Sequence, residues 1–447
     1  MFSTRYSART GSRLLAAPRT ASPHKALTKV FVVFVFLLSS TGLLMPLLQQ
    51  HSGSSAEAAQ GGSVTQVIWL GVYAATLAAA FVRWPRFLQV ATRDKLLLAV
   101  VCFVALSVLW SAAPEVTLQR SVALGATMLF GAYLAMRFSP GEQLRLLAWA
   151  LGVSAWLSLL IALALPSYGI SSDPLYQGDW QGVFSHKNSL GSNMALGSLA
   201  LSILAITSRR YRWLLLPTLA VSLALLWLAD SKTALVVFAM LLALWPLYQA
   251  MRWRHLLMVP LTITLLLAGA GILLLIVRNY ELLLAALGRN ATLTGRTELW
   301  DVLLGMFQTH PWLGYGYSAF WLGWDGPSAK IWLLTGSEVP AADNAYLELL
   351  LNVGAVGLGL FLLGFLAVFY RAIVYAHRAR TSEGLWPLAF LTFLLLYSTM
   401  ESVFLRQNDM LWILYVATAL STFTGARRGL PRPATEPPLN PDPGRKR

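Results

Sequence analysis

Four short polar stretches carry the residues able to do chemistry, and three of them contribute a cation. GVFSHKNSLGSN puts His186, Lys187 and Asn188 just ahead of an apolar run. A helix N-terminus with a lysine beside it makes a natural anion site, and a capped helix with a snorkelling lysine accounts for the same residues without a ligand. Asp230, Ser231 and Lys232 form a brief polar break between two apolar runs. A cation at that depth costs ~2.5–3.5 kcal/mol on insertion scales, so it is either functional or paired, with Asp230 as the internal partner. In LTGRTELW, Thr294 or Thr297 can cap a helix that has Glu298 in its first turn. Arg296 then lies beside the helix start, where its planar fork suits bidentate binding of a phosphate; a surface contact with Glu298 is the bland alternative and contributes little. ADNAYLELLLNVG sets Asp343 and Asn344 where a span begins, with Tyr346, Leu347 and Leu350 following at helical spacing. By itself Asp343 reads as a helix cap, and in company with the other motifs as a base facing the loop. HPWLGYG reads as a turn with aromatic packing in which His310 is structural.

The elements that hold these stretches follow from composition. With 57% hydrophobic residues, 12% charged residues and 17 Trp, the 447-residue chain has no polar skin to keep a globule in water. The class is all-α: a polytopic bundle of membrane helices, because unpaired backbone cannot face lipid and no barrel-type alternation is present. Twelve apolar runs are long enough to be read as spans, near 30–48, 64–82, 96–110, 121–136, 146–165, 189–207, 213–229, 233–250, 256–277, 345–370, 385–403 and 410–424. Cys102, the single cysteine, lies in one of them, which excludes an intrachain disulfide and argues against thiolate metal ligation.

The net charge of +15 would suit nucleic acid, but the charge is distributed between apolar spans, so no nucleic-acid partner is expected. With both termini cytoplasmic, all but eight of the 34 Lys and Arg fall on the inside, as the positive-inside bias requires. The eight are Arg120, Lys187, Lys232, Arg278, Arg289, Arg296, Lys330 and Arg406. Each sits on the face where the bias disfavours it and so needs a reason. The organisation expected is a disordered basic tail at 1–29, nine spans over 30–277, a large periplasmic loop with short helices at 278–344, three spans over 345–424 and a proline-rich tail at 425–447. Ala56-Glu57-Ala58 resembles a signal cleavage site, but the first apolar run is long enough to be retained as an anchor.

FSHKN, DSKTA, GRTELW with HPWLGYG, and DNAYLELLLNVGAVG, in that order between apolar spans, resemble the O-antigen ligase and polymerase superfamily, and within it the succinoglycan-type exopolysaccharide polymerases. The resemblance covers residues 180 to 360 well and the N-terminal third only in hydropathy. It implies an all-helical, glycosyltransferase-C-like enzyme of the bacterial inner membrane. Such an enzyme moves a glycan from undecaprenyl diphosphate to an acceptor hydroxyl on the periplasmic side, with no metal or other cofactor. Carried over by motif, Lys187, Lys232 and Arg296 hold the diphosphate, His186, Asn188 and Tyr346 join them in the substrate site, and Asn344 lies beside the acceptor. Partners implied are the lipid-linked oligosaccharide, the glycan acceptor and the bilayer, with room for a chain-length regulator and export machinery. Many relatives have histidine where this chain has Asp343. An ordinary aspartate, at ~3.9 against ~6.5 for histidine, accepts a proton poorly at neutral pH. Arg296, Asp343 and Glu348, one turn onward, form the expected catalytic set. Preorganised cations in a desolvated cleft stabilise the departing diphosphate as a metal ion does in soluble sugar transferases. A ligase acting on lipid A core is the nearest alternative activity. A transporter or flippase of lipid-linked sugars is the alternative of another class, disfavoured because the cations share one face and no duplicated half with broken helices is evident.

Overall fold

Apolar runs that enter hydrocarbon must satisfy their own backbone groups, and a helix does so within one segment. The computed structural model describes residues 23–41, 63–172, 176–250, 296–336, 338–379 and 381–423. Apart from a single bridge between Ile170 and Trp180, the regular structure of the described residues is helical. The principal helices are α1 (Pro23–Thr41), α2 (Ser63–Phe81), α3 (Trp84–Ala91), α4 (Lys95–Leu106), α5 (Pro114–Arg137), α6 (Pro140–Ala164) and α7 (Lys187–Thr207). There follow α8 (Arg212–Leu228), α9 (Lys232–Ala250), α10 (Arg296–Thr309), α11 (Ala329–Thr335), α12 (Ala345–Arg378), α13 (Trp386–Tyr397) and α14 (Met410–Ser421).

Eleven of the twelve expected spans overlap these helices; the run near 256–277 lies outside the described residues. So do Arg278, Arg289, Thr294, residues 1–22, the connection at 42–62 and the C-terminal segment from 424. Among the described residues, six helices are long and apolar enough to cross a membrane: 64–81, 140–164, 187–207, 209–228, 232–250 and 345–378. Four other apolar helices among the described residues are shorter, so the expected count of twelve crossings is not confirmed. The run at 385–403 shows why: its helix stops at Tyr397, and the chain turns into a connection, 398–409, that packs on the start of α12. Residues 23–29, expected to be disordered, instead form the first turns of α1, which opens on Pro23, a residue suited to a helix's first position.

Leu160, Leu163, Trp213, Trp227, Leu363 and Leu366 are each more than half exposed on the outer faces of their helices. A surface this apolar belongs against lipid, and the chain is an integral membrane protein. Trp213 and Trp227 stand about 21 Å apart along α8 by helical rise, a separation suited to two interfacial anchors. Inside the bundle Phe130, Phe361, Trp386, Phe390 and Trp412 are almost fully buried.

Helix direction sorts the charges. α7 begins at Lys187 and ends where Thr207 reaches Glu383 at 3.4 Å; α9 begins at Lys232 and ends where Gln249 donates to Ser382 at 3.4 Å. α12 begins after Asn344 and ends beyond Arg371. One end of the bundle therefore gathers Lys187, Lys232 and Arg296, and the other gathers Arg83, Arg86, Arg93, Arg137, Arg371 and Arg378.

The described part of the long loop builds its own small core from Leu299, Leu303, Met306, Tyr315, Phe320, Ile331, Ala342 and Leu351. HPWLGYG clasps α12 at a kink. Tyr315 N–H donates to Leu351 O at 2.8 Å, Ala355 N–H to Pro311 O at 2.9 Å and Val356 N–H to Trp312 O at 3.2 Å. At the kink Gly354 has φ 67° and ψ −173°, and a Cβ there would meet the Trp312 carbonyl oxygen at 2.2 Å, so the close crossing requires glycine. His310 packs at 4.4 Å on the Tyr315 ring within this clasp.

Candidate active site

α7 starts with its side chains divided between two neighbourhoods. His186 caps the helix, its Nδ1 accepting from Asn188 N–H at 3.1 Å. Lys187 Nζ lies 2.6 Å from Asp179 Oδ2 and 4.8 Å from the centre of the Tyr176 ring, whose edge meets His186 at 5.1 Å. The connection before α7 therefore engages the lysine expected to grip the diphosphate. Asn188 reaches the other way: Nδ2 donates to Glu401 Oε1 at 3.0 Å, and Oδ1 accepts from the Ser231 hydroxyl at 3.2 Å. One side chain thus joins α7, the break before α9 and the 398–409 connection.

Arg296 lies on the far side of the same carboxylate. Its Nη2 is 2.8 Å from Asp343 Oδ2 and 4.0 Å from Glu401 Oε1, and Nη1 donates to Met400 O at 3.2 Å. Asp343, and not Glu298, is thus the close anionic partner of Arg296. The helix cap also differs from expectation. Asn344 Oδ1 accepts from Tyr346 N–H at 3.0 Å and Leu347 N–H at 3.2 Å, whereas Asp343 takes a left-handed φ of 48° that leaves its carboxylate to Arg296.

Arg296 and Lys232 both line a cavity of about 290 Å³, together with Thr233, Thr399 and the apolar Val236, Val237 and Met240. Asp230, the internal partner considered for Lys232, is exposed at a φ of 42°. α7, α9 and α12 all start around this point, so the positive ends of three helix dipoles add to the two side chains. Such an arrangement stabilises a phosphate-bearing anion through fixed charges that need no reorganisation.

Glu401 is the functional candidate that sequence reasoning missed. It is bonded to Asn188, and its side chain remains 19% exposed, enough to be reached from outside. Burial and then the charge of Asp343 raise its pKa to about 7, against the opposing pull of Arg296, Arg406 and Asn188. It is therefore the carboxyl suited to take a proton near neutral pH, the property an ordinary aspartate lacks. A signal was present: Glu401 is an acid inside the apolar run read as 385–403, where an ionisable residue is a functional candidate by default.

Two expected site residues have their polar atoms engaged within the protein. Glu348 accepts from Trp321 Nε1 at 3.0 Å, Asn352 Nδ2 at 3.1 Å and Ala342 N–H at 3.2 Å, which ties the loop to α12 and satisfies both carboxylate oxygens. Tyr346 accepts from the Ser398 hydroxyl at 3.0 Å and packs its ring on Phe404. Of the other expected residues, Asn188 and Arg296 meet at Glu401, Asp343 joins them through Arg296, and Lys232 shares the cavity with Arg296, whereas His186 packs on Tyr176 and Asn344 caps α12.

Residues 217–362 match the family described as O-Antigen ligase. The chain is also 26% identical over 352 residues to the exopolysaccharide production protein ExoQ of Rhizobium meliloti, covering 75% of this chain and 77% of that protein. The two matches bear out the resemblance to the O-antigen ligase superfamily and its exopolysaccharide branch. The family match spans Lys232, Arg296, Asp343 and Asn344, while Asn188 and Glu401 lie to either side of it.

Proposed function

We propose that the chain is an inner-membrane glycosyltransferase that joins undecaprenyl-diphosphate-linked oligosaccharide repeats into exopolysaccharide, with both termini cytoplasmic and the site of Arg296 open to the periplasm. The observation that carries this reading is a guanidinium and an ammonium sharing one cavity, beside a carboxyl whose pKa is near neutral. The lipid diphosphate of one substrate lies against Arg296, Lys232 and the starts of α7, α9 and α12. An acceptor hydroxyl attacks the anomeric carbon. The bond from that carbon to the phosphate oxygen breaks, a glycosidic bond forms, and the hydroxyl proton passes to Glu401. The charge left on the diphosphate is held by the two cations, while Asp343 fixes the Arg296 fork and Asn188 orients the Glu401 carboxyl.

The polymerase reading is supported by the similarity to a protein named for exopolysaccharide production; the description of the matching family favours a ligase as the second reading. Vesicles carrying the purified chain, supplied with radiolabelled lipid-linked repeats alone, test the choice. A ladder of lipid-linked polymer is the expected product. Transfer only after a lipid A core acceptor is added would establish the ligase, and movement of label across the membrane with no new glycosidic bond would establish a transporter.

A further inference from the structure

The opposite end of the bundle holds a second, larger cavity that the proposed reaction does not use. Its volume is about 680 Å³, within the range of small-molecule sites. Six arginines line it: Arg83, Arg86, Arg93, Arg137, Arg371 and Arg378. They come from α5, from both ends of α3 and from the last turns of α12, so the fold brings together charges far apart in sequence. No Asp or Glu is among its described lining residues. Asp94 pairs with Arg371 but also caps α4 by accepting from Leu96 and Leu97 N–H at 3.1 Å each, so its charge is shared. The Nε of Arg371 is buried with no hydrogen-bond partner among the described residues. Like charges assembled at this density repel one another, and a multivalent anion relieves that repulsion.

The remaining walls narrow the choice of anion. Val90, Phe138 and Val374 line the same cavity, and so does Tyr370, which is 67% exposed. Phe81 and Val82, which directly precede Arg83, are 75% and 81% exposed. Exposed apolar side chains thus stand at the cavity's wall and next to Arg83, as a lipid-bordered site requires. Basic pockets between helices at a membrane surface suit phosphorylated lipid headgroups, whose phosphates enter while the tails stay outside. We propose that this arginine cavity binds the phosphate-bearing headgroup of an anionic membrane phospholipid.

The test uses the full chain purified in neutral detergent. Native mass spectrometry and thermal unfolding follow titration with diphosphatidylglycerol, phosphatidylglycerol, phosphatidylcholine and, as soluble arms, glycerophosphoglycerol and pyrophosphate. The expected result is retention of an anionic lipid, a higher Tm on its addition, and about tenfold or greater weakening in the double variant Arg83→Gln/Arg86→Gln. An unchanged lipid-free Tm in that variant establishes that it folds, and Arg86→Lys, which keeps the charge, retains most of the binding. Equal binding of phosphatidylcholine, or anionic binding untouched by the double variant, overturns the proposal. Soluble headgroup or pyrophosphate binding as tightly as the intact lipid overturns the lipid assignment and gives the cavity to a free phosphate.

Discussion

Where α7, α9 and α12 begin, cations are held by carboxylates inside the fold: Lys187 by Asp179, and Arg296 by Asp343 with Glu401 behind it. At the opposite end six arginines face one cavity with no carboxylate among its described lining residues. A cation already paired and fixed in direction is suited to meet charge that appears and leaves within one turnover, because its orientation is settled beforehand. A surplus of like charge instead favours a ligand that stays. Substitutions at the first end should therefore act on turnover, and those at the second on lipid retention and stability.

The largest effect is expected at Arg296. Arg296→Ala removes one wall of the cavity and leaves Asp343 and Glu401 without the cation between them, so turnover should fall about 10²–10³-fold, as when a fixed charge-stabilising donor is lost. The control is Arg145→Gln at the far end, which breaks an exposed 2.8 Å pair with Glu383 and should leave turnover within about twofold. Comparable losses from both variants, at matched amounts of folded protein, would erase the distinction between the ends.

Glu401→Gln keeps the shape and the Asn188 contact and removes the proton acceptor, so about a hundredfold loss is expected. The pH dependence sharpens this. A base with a pKa of about 7 gives a turnover that rises with pH through that value as the carboxyl deprotonates. The charge of Asp343 helps hold the Glu401 pKa up, so Asp343→Asn should move the limb to lower pH, whereas loss of the Arg296 charge would move it higher. Because burial favours the protonated form of Glu401, its contribution to stability is largest below the unfolded value of 4.5 and is lost as pH rises through about 7. Activity and stability should thus run in opposite directions across that window, and a limb that ignores Asp343→Asn would remove Glu401 from the proton path.

Most of the helical framework was legible because hydrocarbon solvation is read directly from apolar runs, and helix direction follows from where the arginines fall. What escaped depends on partners distant along the chain. Gly354, inside a run read as plain helix, is set by the Trp312 carbonyl brought back upon it, and nothing in the local pattern marks the kink. Asp179 lay in a stretch read only as a connection, so Lys187 seemed in need of a ligand when a carboxylate was within reach. Asp343 taken by itself reads as a cap, because a carboxylate before a span usually is one, and with the other motifs as a base; the next residue, Asn344, performs the capping and leaves Asp343 to Arg296.

Gly354→Ala tests how far the reactive end relies on that clasp. The backbone there is in a region essentially restricted to glycine and the added carbon would strike Trp312, so stability should fall by about 3 kcal/mol or the loop should detach. A lowered Tm in detergent, with faster proteolysis between residues 296 and 344, is the expected outcome. An unchanged Tm would mean that α12 can be straight and that the clasp does not position Arg296.

The smallest effect is expected at Lys187, where the expectation from sequence and the observed geometry diverge. If its ammonium touches the diphosphate, Lys187→Met costs as much as losing another charge clamp, and changing Asp179 cannot restore it. If instead it serves to neutralise Asp179 and hold the start of α7, so that Asn188 meets Glu401, the loss is only several-fold. Much of that loss would come from leaving the Asp179 carboxylate, 21% exposed, without its partner. The double variant Lys187→Met/Asp179→Asn then recovers a good part of the turnover, an interaction read from the four-way comparison of rates. Recovery marks Lys187 as a positioning residue and leaves Lys232 and Arg296 as the cations that meet the substrate; no recovery returns Lys187 to the diphosphate.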